Sequence, residues 1–207
     1  KRAPLIFHDV ERILRILTPK DRPVQIVFAG KAHPKDLGGQ EFAQMIWRFS
    51  HDAGFQGRVA LIEEYDMEVG RMLTSGCDVW LNNPLRPYEA SGTSGMKPPL
   101  HGGINLSVLD GWWPESYDGT NGWAIGDGSE NPDNEVQNAK DAESLYSLLE
   151  QEVVPEFYEL GASGLPDRWI KRALRSATTV PAVFNTDRMV GEYFQWGYAP
   201  ANAAARA

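Results

Sequence analysis

"VQIVFAG", residues 24–30, is a β-branched apolar run that ends on glycine, and downstream of it Phe42, Met45, Ile46 and Phe49 recur at offsets of three and four. An apolar run bounded by a turn residue predicts a strand buried on both faces, as in a parallel sheet. The later spacing predicts an amphipathic helix over 39–53, closed by Gly54. This strand–turn–helix unit then repeats: "RVALIEEY" (58–65) reads as a strand, 67–75 as a short helix, and "CDVWLNN" (77–83) as a strand running into Pro84. "INLSVLDG" (104–111) reads as a fourth strand. Such alternation predicts a Rossmann-like, doubly wound α/β sheet with right-handed crossovers, whose ligands gather at the carboxyl ends of the strands.

Working outward, Leu5, Ile6, Ile13, Leu14, Ile16 and Leu17 predict a helix over 4–18 that stops before Pro19 and Pro23. Residues 111–140, rich in Gly, Asn, Asp and Trp, read as an ordered loop with a short strand at "GWAIG" (122–126). Helices are expected at about 141–160, 166–178 and 186–196, the last behind a cap in "FNTDRMVGEYFQW", and the tail "APANAAARA" is expected to fray. The 207 residues read as one domain, with about 179–207 forming its terminal helix and frayed tail.

The formal charge of −8, without a lysine or arginine run, argues against nucleic acid or an anionic membrane as partner. No apolar run approaches the roughly 20 residues of a membrane span. Cys77, the lone cysteine, permits no internal disulfide and no cysteine-based metal cluster, which fits a reducing cytoplasm. Helical periodicity begins almost at once, without an initiating methionine, and reads as a piece of a longer protein.

The chemistry concentrates in "PYEASGTSGMKPPLHGG", residues 87–103. Gly92 and Gly95 let backbone N–H groups approach a ligand with no Cβ in the way, and a helix starting there would make an anion site suited to phosphate. Pro98 and Pro99 are tolerable in a first helical turn. A plain Gly/Ser turn is the competing reading. A Walker motif does not fit, because Met96 separates Gly95 from Lys97 and Pro98 replaces the magnesium-binding hydroxyl. A lysine beside a phosphate cradle can instead form a Schiff base with pyridoxal phosphate.

"EASGTSGMK" (89–97) followed by "GGINLSVLDGWW" (102–113) closely resembles the cofactor segment of the glycogen, starch and maltodextrin phosphorylases. Lys1 and Arg2, "FAGKAHP" (28–34), "EEYD" (63–66) and "FNTDRMVGEY" (184–193) match the family in the same order, so the resemblance covers nearly the whole chain. It implies the C-terminal domain of a GT-B-type glycosyltransferase fold. It also implies phosphorolysis of α-1,4-glucan by orthophosphate to glucose 1-phosphate, with pyridoxal 5′-phosphate as cofactor and a homo-oligomeric full-length protein. Carried over by position, Lys97 would hold the cofactor, with Gly92, Thr93, Ser94 and Gly95 lining the cofactor and substrate phosphates. Glu89, Ala90, Ser91 and Gly92 would meet the glucosyl hydroxyls. Lys1 would stand near the cofactor phosphate and Tyr65 in the cofactor pocket; Lys97, Glu89, Thr93 and Lys1 make up the catalytic set.

The chain departs from that family at Pro98 and Pro99, where small non-proline residues are usual, and at His101, where asparagine is common. The family's lysine–arginine pair preceding Lys1 and its N-terminal domain are absent from the sequence, so the chain alone is expected to be inactive. Two other function classes compete: a nucleotide-sugar glucosyltransferase resembling glycogen synthase, which needs no lysine at 97, and a non-catalytic carbohydrate-binding module. His33, His51 and His101 lack ligand spacing and no metal is assigned. Trp112, Trp113 and Trp123 read either as a sugar-stacking platform or as loop packing. The "NLS" sequon at 105–107 falls in an expected buried strand.

Overall fold

The computed structural model describes residues 1–204. Its strands are β1 (Ile26–Ala29), β2 (Val59–Ile62), β3 (Val79–Asn82), β4 (Ile104–Val108) and β5 (Gly122–Ile125), each inside an expected segment. Every pairing is parallel: β1 with β2, β3 with β4, and β4 with β5. All five residues of β4 are buried, Asn105 and Ser107 included, because a parallel strand is covered on both faces.

The expected single sheet is instead two ladders, β1–β2 and β3–β4–β5, with no hydrogen-bonded seam between β1 and β3. Each ladder has its own helical support. Helix α2 (Leu37–His51) packs on β2, whereas α5 (Asn134–Leu148) packs on β5 and α7 (Asp167–Val183) on β4 and β5. A cavity of about 1370 Å³ runs between β1 and β3 toward the carboxyl ends of both strands.

Short polar caps decide where helices begin. Asp9, Asp36, Asp66, Asp133 and Asn185 each accept a backbone N–H of the first turn, starting α1 (Val10–Leu17), α2, α3 (Met67–Gly76), α5 and α8 (Thr186–Tyr193). Each such cap stabilises its helix by about 1 kcal/mol. The expected helix over 4–18 is broken by one of them. Ala3–Phe7 forms a 3₁₀ turn, then the Asp9 backbone N–H donates to Tyr146 Oη at 2.8 Å while its side chain caps α1.

Three further boundaries differ from expectation. Helix α5 starts at Asn134, within the expected loop, because its buried face carries Gln137 and Asp141 and so shows no apolar period there. It continues through a π-helical turn, Leu149–Val153, into α6 (Val154–Tyr158), and a one-turn helix, α4 (Trp113–Ser116), also lies in that loop. Helix α7 runs past 178 to Val183 despite Pro181, with the Thr178 and Thr179 hydroxyls donating back to the Leu174 and Arg175 carbonyls. The expected frayed tail is helical over Ala199–Ala204 (α9), reached from α8 through a π-helical turn, Phe194–Tyr198; residues 205–207 lie outside the described residues.

The core joins Ile13, Leu17, Ile104, Leu106, Ile125 and Leu145, all nearly inaccessible. Phe7 stacks on Phe49 at 4.1 Å and meets Phe55 edge-on at 5.8 Å, tying the first turn to α2. Phe42 and Met45, expected on the buried face of α2, remain exposed. Trp112, Trp113 and Trp123 are buried, so they pack the interior and offer no open face to a sugar ring. Asn105 of the sequon is buried on β4. Among the described residues, no helix is long and apolar enough to cross a membrane, and no cluster of metal-ligating side chains forms.

Candidate functional site

The segment after β3 returns to the sheet through two 3₁₀ turns, Thr93–Met96 and Pro98–His101, with Lys97 at the junction. Pro98 and Pro99 occupy the first positions of the second turn, where no N–H partner is needed. Of the two readings of this stretch, a helix start and a Gly/Ser turn, the backbone takes the turn. Two four-residue turns cannot sum peptide dipoles as an α-helix does, so any affinity for anions must come from side chains and single N–H groups.

Buried polar groups mould this loop. Asp110, 8% exposed, accepts the Glu89 backbone N–H at 2.9 Å, and the Ser91 carbonyl accepts from Trp112 N–H at 3.0 Å. Gly111 between them has φ +60°, and a Cβ there would stand 2.4 Å from the Ser91 carbonyl oxygen. Side-chain Asn105, on β4, donates to the Gly95 carbonyl at 2.9 Å, and a Cβ on Gly95 would approach its Oδ1 to 2.7 Å. Gly92 has φ +81°, a conformation that glycine adopts freely. Two glycines of the motif are thus accounted for by close packing and by backbone conformation.

At the carboxyl ends of β3 and β4, Asn82 and Ser107 are register partners, and Asn82 Nδ2 donates to Ser107 Oγ at 3.1 Å. Asn82 Oδ1 accepts from Lys1 Nζ at 2.6 Å, and the same ammonium meets Glu89 Oε1 at 2.7 Å. One polar chain therefore links Ser107, Asn82, Lys1 and Glu89, and the Glu89 main chain continues it to Asp110. Arg2 fixes its outer end: the guanidinium donates to the carbonyls of Asn83 and Pro84, to Asn138 and to the buried Asp141 carboxylate.

Lys97 is exposed, and its ammonium donates to the Thr93 carbonyl at 3.1 Å and meets no carboxylate among the described residues. Lys1, Tyr65, Gly92 and Ser94 line the cavity between β1 and β3. Lys97, Glu89, Thr93, Gly95, Ala90 and Ser91 stand outside its wall. Cys77 lines the same cavity, and its burial pushes the thiol pKa up to about 11, which keeps it protonated and unreactive near neutrality.

Asn82, Asn105, Ser107 and Asp110 escape a motif-based reading, yet they hold the loop in place. Their signal lies in the strands themselves: polar residues in "WLNN" and "INLSVLD" at positions that a parallel sheet buries.

No family model matches the chain. It is 49% identical over 205 residues to maltodextrin phosphorylase of Thermococcus litoralis, covering 99% of this chain and 24% of that protein. Glycogen phosphorylase of Aquifex aeolicus is 46% identical over 198 residues, covering 96% of this chain and 28% of the relative. Glycogen phosphorylase of Mycobacterium bovis is 45% identical over 206 residues, covering 100% and 24%. The chain spans about a quarter of the length of these curated relatives.

Proposed function

From its match, over nearly its whole length, to a fragment of the α-glucan phosphorylases, we propose that the chain is the cofactor-carrying C-terminal domain of such an enzyme. The larger protein would be a cytoplasmic glycosyltransferase of GT-B architecture that transfers the terminal α-1,4-linked glucose of glycogen or maltodextrin to orthophosphate. Residues 1–207 would form one domain, and the remaining wall of the active-site cleft would come from an N-terminal domain.

One observation carries the reading: Lys97, its exposed ammonium donating only to the Thr93 carbonyl among the described residues, ends a loop of small residues whose Gly92 and Ser94 line a cavity together with Lys1 and Tyr65. These residues suit pyridoxal 5′-phosphate. The exposed amine can attach its aldehyde covalently, the Lys1 ammonium and the Ser94 hydroxyl suit its phosphate, and the cavity exceeds the roughly 300–1,000 Å³ typical of ligand pockets. When bound, the cofactor supplies a phosphate group able to pass a proton to and from orthophosphate.

The chain's own residues then have defined tasks. Lys1 would neutralise phosphate charge, held in place by Asn82 and Arg2's tether. Thr93 and Ser94 would donate hydroxyl and backbone hydrogen bonds to phosphate oxygens. Glu89, with the backbone N–H groups of Ala90 and Ser91, would orient the glucosyl hydroxyls, so that groups fixed before reaction meet the charge developing on the sugar. Because Asp110 and Gly111 set the course of residues 89–91, that orientation is built into the fold.

A domain exchange tests the function. Substituting this chain for the corresponding segment of the Thermococcus litoralis relative should give a protein that forms glucose 1-phosphate from maltodextrin and phosphate. The same protein carrying Lys97→Ala, and the 207-residue chain alone, should form none. A folded exchange protein with cofactor on Lys97 but no glucose 1-phosphate would contradict the proposal.

A further inference from the structure

The ion pair between Lys1 and Glu89 places a carboxylate where the reading above needs a phosphate. Glu89 Oε1 lies 2.7 Å from Lys1 Nζ, and the same oxygen is 2.3 Å from the point a Cβ on Gly92 would occupy. A single carboxylate oxygen thus meets the cation and occupies the space that a side chain on Gly92 would need. The ammonium is the feature of this site that suits an incoming anion.

The two side chains are not equally placed. Glu89 is 11% exposed and Lys1 55%, so the acid is tucked against the loop while its cation stays open to solvent. The Glu89 backbone is held independently, its N–H donating to Asp110 Oδ2 at 2.9 Å. Rotation about the Glu89 side-chain torsions can therefore move the carboxylate without disturbing the loop. Asn82 Oδ1 keeps the ammonium in place at 2.6 Å whichever anion it meets.

We infer that the Glu89 carboxylate is a built-in placeholder for phosphate: a phosphate group arriving at Lys1 displaces it and frees it to accept sugar hydroxyls. The inference rests on the reading of the loop as a cofactor and substrate site. Two anions cannot share one ammonium at contact distance without repulsion, so the carboxylate and phosphate compete for Lys1. Once released, Glu89 regains acceptor capacity that the ion pair had occupied. Coupling of this kind is reciprocal, and sugar binding that draws Glu89 away favours phosphate by the same factor.

Titration calorimetry on the 207-residue chain tests this with three probes: pyridoxal 5′-phosphate, pyridoxal and inorganic phosphate. Glu89→Gln removes the competing charge while keeping the shape, and should bind both phosphate-bearing probes roughly two- to fivefold more tightly, the range expected for a partly screened ion pair. Pyridoxal, which lacks the phosphate, should bind both proteins equally. Glu89→Ala should shift affinity in the same direction, and adding Lys1→Met should abolish the gain. Unchanged or weaker phosphate binding in Glu89→Gln, equal tightening toward pyridoxal, or no phosphate binding by either protein overturns the inference. Failure of the broader reading is distinguishable, because it appears as no borohydride-stable label on Lys97 while inorganic phosphate still reports on Glu89.

Discussion

Arg2 holds the first residues of the chain against the site through a buried charge. Its guanidinium is 2.7 Å from Asp141, whose side chain is 2% exposed, and Gln137 Nε2 at 2.8 Å is the other donor to that carboxylate. Removing the cation would leave the acid buried without its counter-ion, a loss of about 3–5 kcal/mol. Urea denaturation of Arg2→Met should show a loss of that order, and Arg2→Met combined with Asp141→Leu should recover most of it. Independent, additive losses would contradict the pairing. Motif spacing makes Lys97 and its glycines legible, because they act within nine consecutive residues. The partners of Lys1 are not, since Asn82 and Glu89 reach it from 81 and 88 positions away.

Elements are joined by polar clamps as well as by apolar packing. Asp118, ahead of β5, accepts hydrogen bonds from Thr120 and pairs with Arg175 of α7 at 2.8 Å. Desolvation raises its pKa, but the Thr120 and Arg175 interactions outweigh that and hold it below the usual aspartate value. A depressed folded pKa stabilises the fold above the unfolded value of about 3.9, and that contribution disappears as pH falls through the folded pKa. Thermal melts of Asp118→Asn should therefore lie below wild type near neutral pH and converge with it on acidification; a constant offset would contradict the assignment. Element order was readable from apolar runs and turn residues. The break at Asp9 was not, because Tyr146 imposes it from the far end of the chain. Nor was the start of α5, whose buried Gln137 and Asp141 hide the helical period.

Across the molecule, parallel ladders bring the carboxyl ends of β3 and β4 to one edge, and the 87–103 loop and Lys1 gather there. Alternating strands and helices made that edge predictable. The open seam between β1 and β3 was not predictable, because it depends on which helices support each ladder and not on any strand's own sequence. Borohydride reduction of the chain with pyridoxal 5′-phosphate, followed by peptide mass mapping, should place the increment on the peptide carrying Lys97 and abolish it in Lys97→Met. Modification of surface lysines such as Lys31 and Lys140 with Lys97 left unlabelled would contradict the account.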